Sequence, residues 1–136
     1  MKRLILSLLL ITAGACSSDT APLAISDTVI RKPLPGMHMS AGYFTLTNNT
    51  SDSIVITHVT SPQFGAVEMH ETIIEDGVAR MAALGDLELA PDSTIRFQPG
   101  GKHLMLMQPA ADLENVTLEF HSRDDMVLSI TVVATD

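Results

Sequence analysis

The stretch KHLMLM, residues 102–107, alternates two kinds of side chain with the two-residue period of a β-strand. In a strand, the imidazole of His103 and the thioethers of Met105 and Met107 share one face, and the two leucines between them share the other. The leucine face is expected to pack on the core. The opposite face allows two interpretations: methionine that fills a strand buried on both sides, or a ligand set for a soft metal ion.

Short runs rich in Val, Ile, Thr and Phe recur on both sides of this stretch, and no long segment carries the 3.6-residue period of a helix. The candidate strands are residues 24–30, 42–48, 53–61, 66–74, 78–84, 93–98, 102–108, 116–122 and 127–134. Seven to nine short strands in 136 residues predict one all-β domain, a sandwich or a barrel. The segment 31–36, with its two prolines, is expected to cross between sheets or to skirt a sheet edge.

The N-terminus has the pattern of a bacterial export signal, in which Lys2 and Arg3 precede an apolar run and a stretch of small residues. Cys16, the only cysteine, follows the small residues at a bond that suits either a lipobox or an ordinary signal peptidase. A lone cysteine cannot form an internal disulfide, and a free thiol is a liability in an oxidising compartment. Lipidation of Cys16 is therefore the favoured interpretation.

The expected organisation is a lipoprotein-type signal peptide at residues 1–15, a lipidated cysteine and polar tether at 16–23, and one β-sandwich domain at 24–136. Ser17, directly after the cysteine, resembles the pattern of lipoproteins sent to the outer membrane. The predicted location is the bacterial periplasm, with membrane contact only through the lipid anchor.

Charge and motif content exclude several classes of function. The formal net charge is −8, without basic clusters, which argues against binding to nucleic acid or to anionic lipid surfaces. We find no Ser-His-Asp pattern and no paired-carboxylate spacing that indicates catalysis. The chain is therefore predicted not to be an enzyme.

A second group of candidate ligands surrounds Asp-Gly at residues 76–77, a dipeptide typical of a two-residue hairpin turn. With these residues in the turn, Thr72 opposes Met81, and His70 lies diagonal to Met81 on the same face. Diagonal Cβ atoms are about 7–8 Å apart, so side chains as long as His and Met can share one ion. The hairpin thus offers one imidazole and one thioether, and the strand at 102–107 offers another such pair.

Two such pairs brought together form a site with two histidines and two methionines: His70, Met81, His103 and Met105. Thioethers are soft, neutral ligands that favour Cu(I) over Zn(II), Ca(II) or Mg(II), and imidazole accepts copper in both oxidation states. Zinc sites usually use thiolates, and hard cations need carboxylate loops that this chain lacks. A blue-copper site needs a cysteine within the fold. Cu(I) is therefore the predicted ion.

The spacing of these four residues, His-x10-Met-x21-His-x-Met, resembles the signature of the periplasmic copper chaperones called PCu(A)C. Other stretches that look like family segments are residues 42–48 (GYFTLTN), 61–65 (SPQFG), 67–71 (VEMHE), 76–78 (DGV) and 99–107 (PGGKHLMLM). The resemblance covers residues 24–133 and implies a cupredoxin-like, immunoglobulin-like Greek-key sandwich. It also implies a monomeric carrier that binds Cu(I) and passes it toward the binuclear copper centre of cytochrome c oxidase. The acceptor would be a protein with cysteine ligands, such as an oxidase subunit or an assembly factor.

The chain departs from the family pattern next to its first histidine. Glu71 follows His70 where the family often has methionine, while Met69 precedes it and is expected to point into the core. Glu68 shares the face of His70 and is expected to orient its imidazole, because a metal-bound histidine commonly donates its other N–H to a carboxylate.

Several residues remain candidates for auxiliary roles. Met37, His38 and Met39 match no family element, and they are candidates for an auxiliary copper site that also takes Cu(II). Met107 is a candidate to shield the site or to act as an alternate ligand. The histidines outside these groups are expected to be satisfied or surface side chains. They are His58 and His121.

Two other functions remain open. A copper storage or resistance protein would share the site and differ in the receiver of the ion. A non-metal β-sandwich lipoprotein would use the methionine face to bind a protein partner.

Overall fold

A computed structural model describes residues 20–123 and 125–136. The predicted signal peptide, residues 1–15, and Cys16 lie outside the described residues. All regular elements of the described part are β-strands. The described segments contain no helix with the length and apolar character needed to span a bilayer.

The described residues form eleven strands. They are β1 (Leu23–Ile30), β2 (Met39–Asn48), β3 (Ile54–Ile56), β4 (His58–Thr60), β5 (Phe64–Glu75), β6 (Val78–Ala83), β7 (Leu87–Leu89), β8 (Thr94–Phe97), β9 (Lys102–Pro109), β10 (Asn115–His121) and β11 (Met126–Val133). All nine candidate strands are present, but the expected count was too low. The stretch 53–61 is divided at Thr57 because β3 pairs with β7 and β4 pairs with β10. Strand β7 was not predicted, because its three residues are too few to show a period.

The strands form one large sheet and two small ones, and their named pairings are antiparallel. In the large sheet the order is β1-β2-β9-β5-β6, with β8 pairing beside β9 on β2. The small sheets are β11-β10-β4 and β3-β7. Because β9 lies between β2 and β5, strands distant in sequence are neighbours, as in a Greek key.

Aromatic side chains join the layers at the centre of the core. Phe44 of β2 stacks on Phe97 of β8, with ring centroids 4.4 Å apart, and meets Phe120 of β10 edge-on at 5.4 Å. Leu104 and Leu106 of β9 are fully buried in the same core. The expectation that the leucine face of residues 102–107 packs inward is confirmed, and the all-β sandwich is confirmed with it.

The segment 31–36 stays within the large sheet, because β1 and β2 on its two sides are antiparallel neighbours. Arg31 forms a parallel bridge with Thr135, just beyond the end of β11. The alternative that this segment crosses between sheets is therefore wrong, since it joins two strands of one sheet.

Candidate metal site

The two histidines predicted as ligands face each other on neighbouring strands. His70 on β5 and His103 on β9 are direct antiparallel partners, and their ring centroids lie 6.0 Å apart. Thr72 pairs with Met81 across the β5–β6 hairpin, which confirms the register predicted from the Asp-Gly turn. Met81 therefore lies on the same face as His70, and Met105 lies on the same face as His103.

In each imidazole, one ring nitrogen forms a hydrogen bond and the other has no partner among the described residues. Nε2 of His70 lies 2.8 Å from a carboxylate oxygen of Glu68, and Nδ1 of His103 lies 3.0 Å from the backbone oxygen of Gly101. Carboxylate and carbonyl oxygens only accept, so these two ring nitrogens are the donors. The opposite nitrogens, Nδ1 of His70 and Nε2 of His103, are buried with no hydrogen-bond partner among the described residues.

Two unpartnered nitrogens on facing rings are unusual, because buried polar atoms nearly always have a hydrogen-bond partner. The anchoring of the opposite nitrogen by a carboxylate or a carbonyl is the arrangement found around metal-binding histidines. It fixes the tautomer of each ring and leaves the lone pair of the opposite nitrogen free to bind a metal ion. The expectation that Glu68 orients His70 agrees with this contact.

A cavity of about 330 Å³ opens on this face of the large sheet. Its lining residues are Met39, Ser40, Ala41, Tyr43, Thr72, Met81, Pro99, Gly100, His103 and Met105. His103 is only 7% exposed, whereas Met81 is 64% exposed. The cavity thus has the buried imidazole of His103 and the solvent-facing thioether of Met81 in its lining, and His70 is not part of that lining.

The candidate auxiliary residues do not line one common cavity. Met39 lines the cavity described above, whereas Met37 lines a different one. The side chain of His38 is exposed, and its backbone oxygen accepts a hydrogen bond from the N–H of Gln108. Met107 is half-buried on the face of Met105 but does not line the cavity.

The residues that flank His70 have separate roles. Met69 is only 6% exposed and belongs to the core, as predicted. Glu71 lies opposite Lys102 and binds its ammonium nitrogen at 2.7 Å, on the sheet face away from the two imidazoles. Glu71, which stands where the family often has methionine, therefore links β5 to β9 through this ion pair on the face opposite the imidazoles.

Two features of the site were missed in the sequence. Gly101 supplies the carbonyl that holds His103, and Tyr43 forms part of the cavity wall. The turn-forming residues 99–101 predicted a loop, but they did not predict that the backbone oxygen of Gly101 accepts a hydrogen bond from His103.

The two remaining histidines lie together in a small sheet. The rings of His58 and His121 stack with centroids 4.5 Å apart, and each ring has a threonine hydroxyl within 2.9 Å. They are satisfied, as expected, although the sequence did not reveal that they are partners. In residues 20–123 and 125–136, no three His, Cys, Asp or Glu side chains converge to hold a metal.

The chain matches the sequence model of the family described as "Putative lipoprotein LpqE-like" over residues 23–132. It is 29% identical over 99 residues to "Uncharacterized protein RP573" of Rickettsia prowazekii (strain Madrid E), a match that covers 68% of this chain and 55% of the relative. It is also 29% identical over 103 residues to "Putative lipoprotein Lxx21020" of Leifsonia xyli subsp. xyli, covering 71% and 62% respectively. The chain thus spans less than two thirds of the length of either relative.

Solved structures share the fold. The "Copper-bound PCuAC domain from PmoF2" aligns with a TM-score of 0.61 at 21% identity, over 83% of this chain and 90% of that domain. The "Solution structure of apo-DR1885 from Deinococcus radiodurans" aligns with a TM-score of 0.61 at 20% identity, over 98% and 92%. The predicted fold, a cupredoxin-like sandwich of the PCu(A)C type, is confirmed.

Proposed function

The chain belongs to the LpqE-like family, and from that premise we propose that it is a copper chaperone whose Cu(I) ligands are His70, Met81, His103 and Met105. The observation that carries this proposal is the pair of facing imidazoles, each with one anchored nitrogen and one buried, unpartnered nitrogen. Both thioethers line the cavity beside His103. The similarity to a copper-bound PCuAC domain supports the choice of ion.

The donor set selects the ion by its softness and charge. Two imidazoles and two thioethers are all neutral, so the loaded centre carries only the single positive charge of Cu(I). A doubly charged zinc or calcium ion would receive no anionic ligand from these four residues and would be held poorly. Glu68 accepts a hydrogen bond from Nε2 of His70 and so fixes the tautomer that leaves Nδ1 free to bind the ion.

The unequal burial of the ligands supports a carrier that releases its ion. Met81 lies on the exposed hairpin, while His103 is anchored on a strand paired on both sides. Loss of the Met81 thioether would leave a three-coordinate Cu(I) open to attack by an incoming thiolate. Transfer would then run toward an acceptor with cysteine ligands, which bind Cu(I) more strongly than thioethers. The role is carriage of an ion, with no catalytic step.

The proposed setting is the bacterial periplasm, with the monomeric domain tethered to the outer membrane through lipidated Cys16. The family description and one relative's name, both of which read lipoprotein, support the anchor. The proposed acceptor is a cytochrome c oxidase subunit or its assembly factor. Oxidase activity in a deletion strain separates delivery from storage, because loss of a storage protein would leave the oxidase loaded under ordinary copper supply.

Titration with Cu(I) under reducing conditions tests the site directly. We expect one ion per chain, with an X-ray absorption spectrum that reports two nitrogen and two sulfur neighbours. A protein that binds no Cu(I), or an ion surrounded only by nitrogen and oxygen, would contradict the proposal.

Replacing Glu68 by alanine is expected to weaken Cu(I) binding by about 10- to 100-fold, because the imidazole of His70 loses the acceptor that fixes its tautomer. Competition with a chromophoric Cu(I) chelator measures the change. Glu71→Ala is the matched control, since Glu71 is the neighbouring carboxylate that binds Lys102 on the opposite face. Equal losses in the two variants would show that Glu68 acts through general charge and not by orienting the ring.

A further inference from the structure

Met39 is a methionine of the cavity that the four-residue ligand set does not use. It begins β2, its side chain is 48% exposed, and it lines the same cavity as Met81, His103 and Met105. About half of this side chain is open to solvent, so it is not committed to the core. Its thioether is therefore available to the same ion.

The strand register brings Met39 within reach of that ion. Met39 pairs with Met107, and Ala41 pairs with Met105, so Met39 is diagonal to Met105 on one face of the sheet. Diagonal neighbours of this kind lie about 7–8 Å apart, a span that two flexible thioethers can close around one ion. Ala41, which pairs with Met105 and lines the same cavity, adds only a methyl group to this face.

We propose that Met39 is the exchange ligand of the site, which holds Cu(I) together with Met105 and His103 when Met81 swings away. This inference rests on the proposed function and extends it. In the exchange the bond from copper to the sulfur of Met81 breaks and a bond to the sulfur of Met39 forms. No electron or proton moves, and the ion stays Cu(I). The three-coordinate ion left by Met81 thereby regains a fourth ligand, and it is retained until an acceptor thiolate displaces a thioether.

Neighbouring methionines do not fit this role. Met107 is the direct cross-strand partner of Met39, yet it does not line the cavity and lies half-buried between Met39 and Ala66. Met37 lines another cavity, with Leu34 and Pro109. Met107 is therefore a matched control, since it is the nearest thioether on the same face.

The test is a double-mutant cycle on Met39 and Met81. With Met81 intact, Met39→Leu is expected to change Cu(I) affinity by less than about threefold, because the exchange ligand is then idle. In the Met81→Leu background the same change is expected to cost about tenfold, because Met39 now holds the ion. Met107→Leu is expected to have no effect in either background. Competition with a Cu(I) chelator measures all these affinities.

The number of sulfur neighbours gives a second measurement. X-ray absorption of the copper-loaded Met81→Leu protein is expected to report two sulfurs, from Met39 and Met105, and the variant lacking Met39 as well should report one. Equal affinities and one sulfur in both proteins would overturn the role of Met39 and leave the four-ligand site intact. A wild-type protein that binds no Cu(I) would instead defeat the proposed function and this inference together.

Discussion

Replacing Met81 and Met105 together by leucine is expected to remove Cu(I) binding at working concentrations while the domain stays folded. Leucine has nearly the volume of methionine but offers no sulfur, so the change removes ligands without creating a cavity. Loss of a partner that merely orients a ligand costs about 10- to 100-fold in metal affinity, and the loss of two direct ligands should exceed about 100-fold.

The measurement is a Cu(I) competition titration, with circular dichroism to verify the fold. The control is the double variant Met107→Leu and Met126→Leu, which makes the same chemical change elsewhere. Met107 is a neighbouring residue outside the cavity, and Met126 is an exposed residue on β11. Wild-type affinity in the Met81/Met105 variant would remove the basis for the proposed site.

Replacing Leu106 by alanine is expected to lower the free energy of unfolding by about 3 kcal/mol, because this side chain is fully buried and its removal leaves a cavity. For a domain of this size the melting temperature should fall on the order of 10–20 °C. Urea unfolding measures the loss, as a lower midpoint with an unchanged slope.

The adjacent residue supplies the comparison. Met105→Leu lies one position away on the opposite face and is expected to change stability by less than about 1 kcal/mol, since it conserves volume on a half-buried surface. Similar stability losses in the two variants would mean that this stretch does not separate a core face from a ligand face.

Local patterns in the sequence predicted the parts of the site that lie within a single hairpin or strand. The Asp-Gly turn fixes the pairing of Thr72 with Met81, because a two-residue loop leaves only one register. Strand alternation places Met69 in the core and His70 outside it for the same reason.

The sequence could not predict contacts between distant strands. β9 lies between β2 and β5, and His70 directly faces His103. Both facts depend on pairing between strands that are distant in sequence, and no short turn sets the register of such a pair. The separation of Met39 from Met37 follows from the same pairing, because β2 begins at Met39 and carries it into the large sheet. The division at Thr57 also reflects competing partners in two sheets.

The position of β6 at the edge of the large sheet gives the site two levels of local stability. This strand pairs only with β5, and all but one of its residues are exposed, whereas β9 is paired on both edges. Backbone amides of such an edge strand exchange with solvent through local openings that cost far less than unfolding the domain. The strand that carries Met81 can therefore detach while β9 keeps His103 and Met105 in place. For the proposed copper carrier, the barrier to handing on the ion would then be set by fraying of one strand, and repeated transfer would leave the core intact.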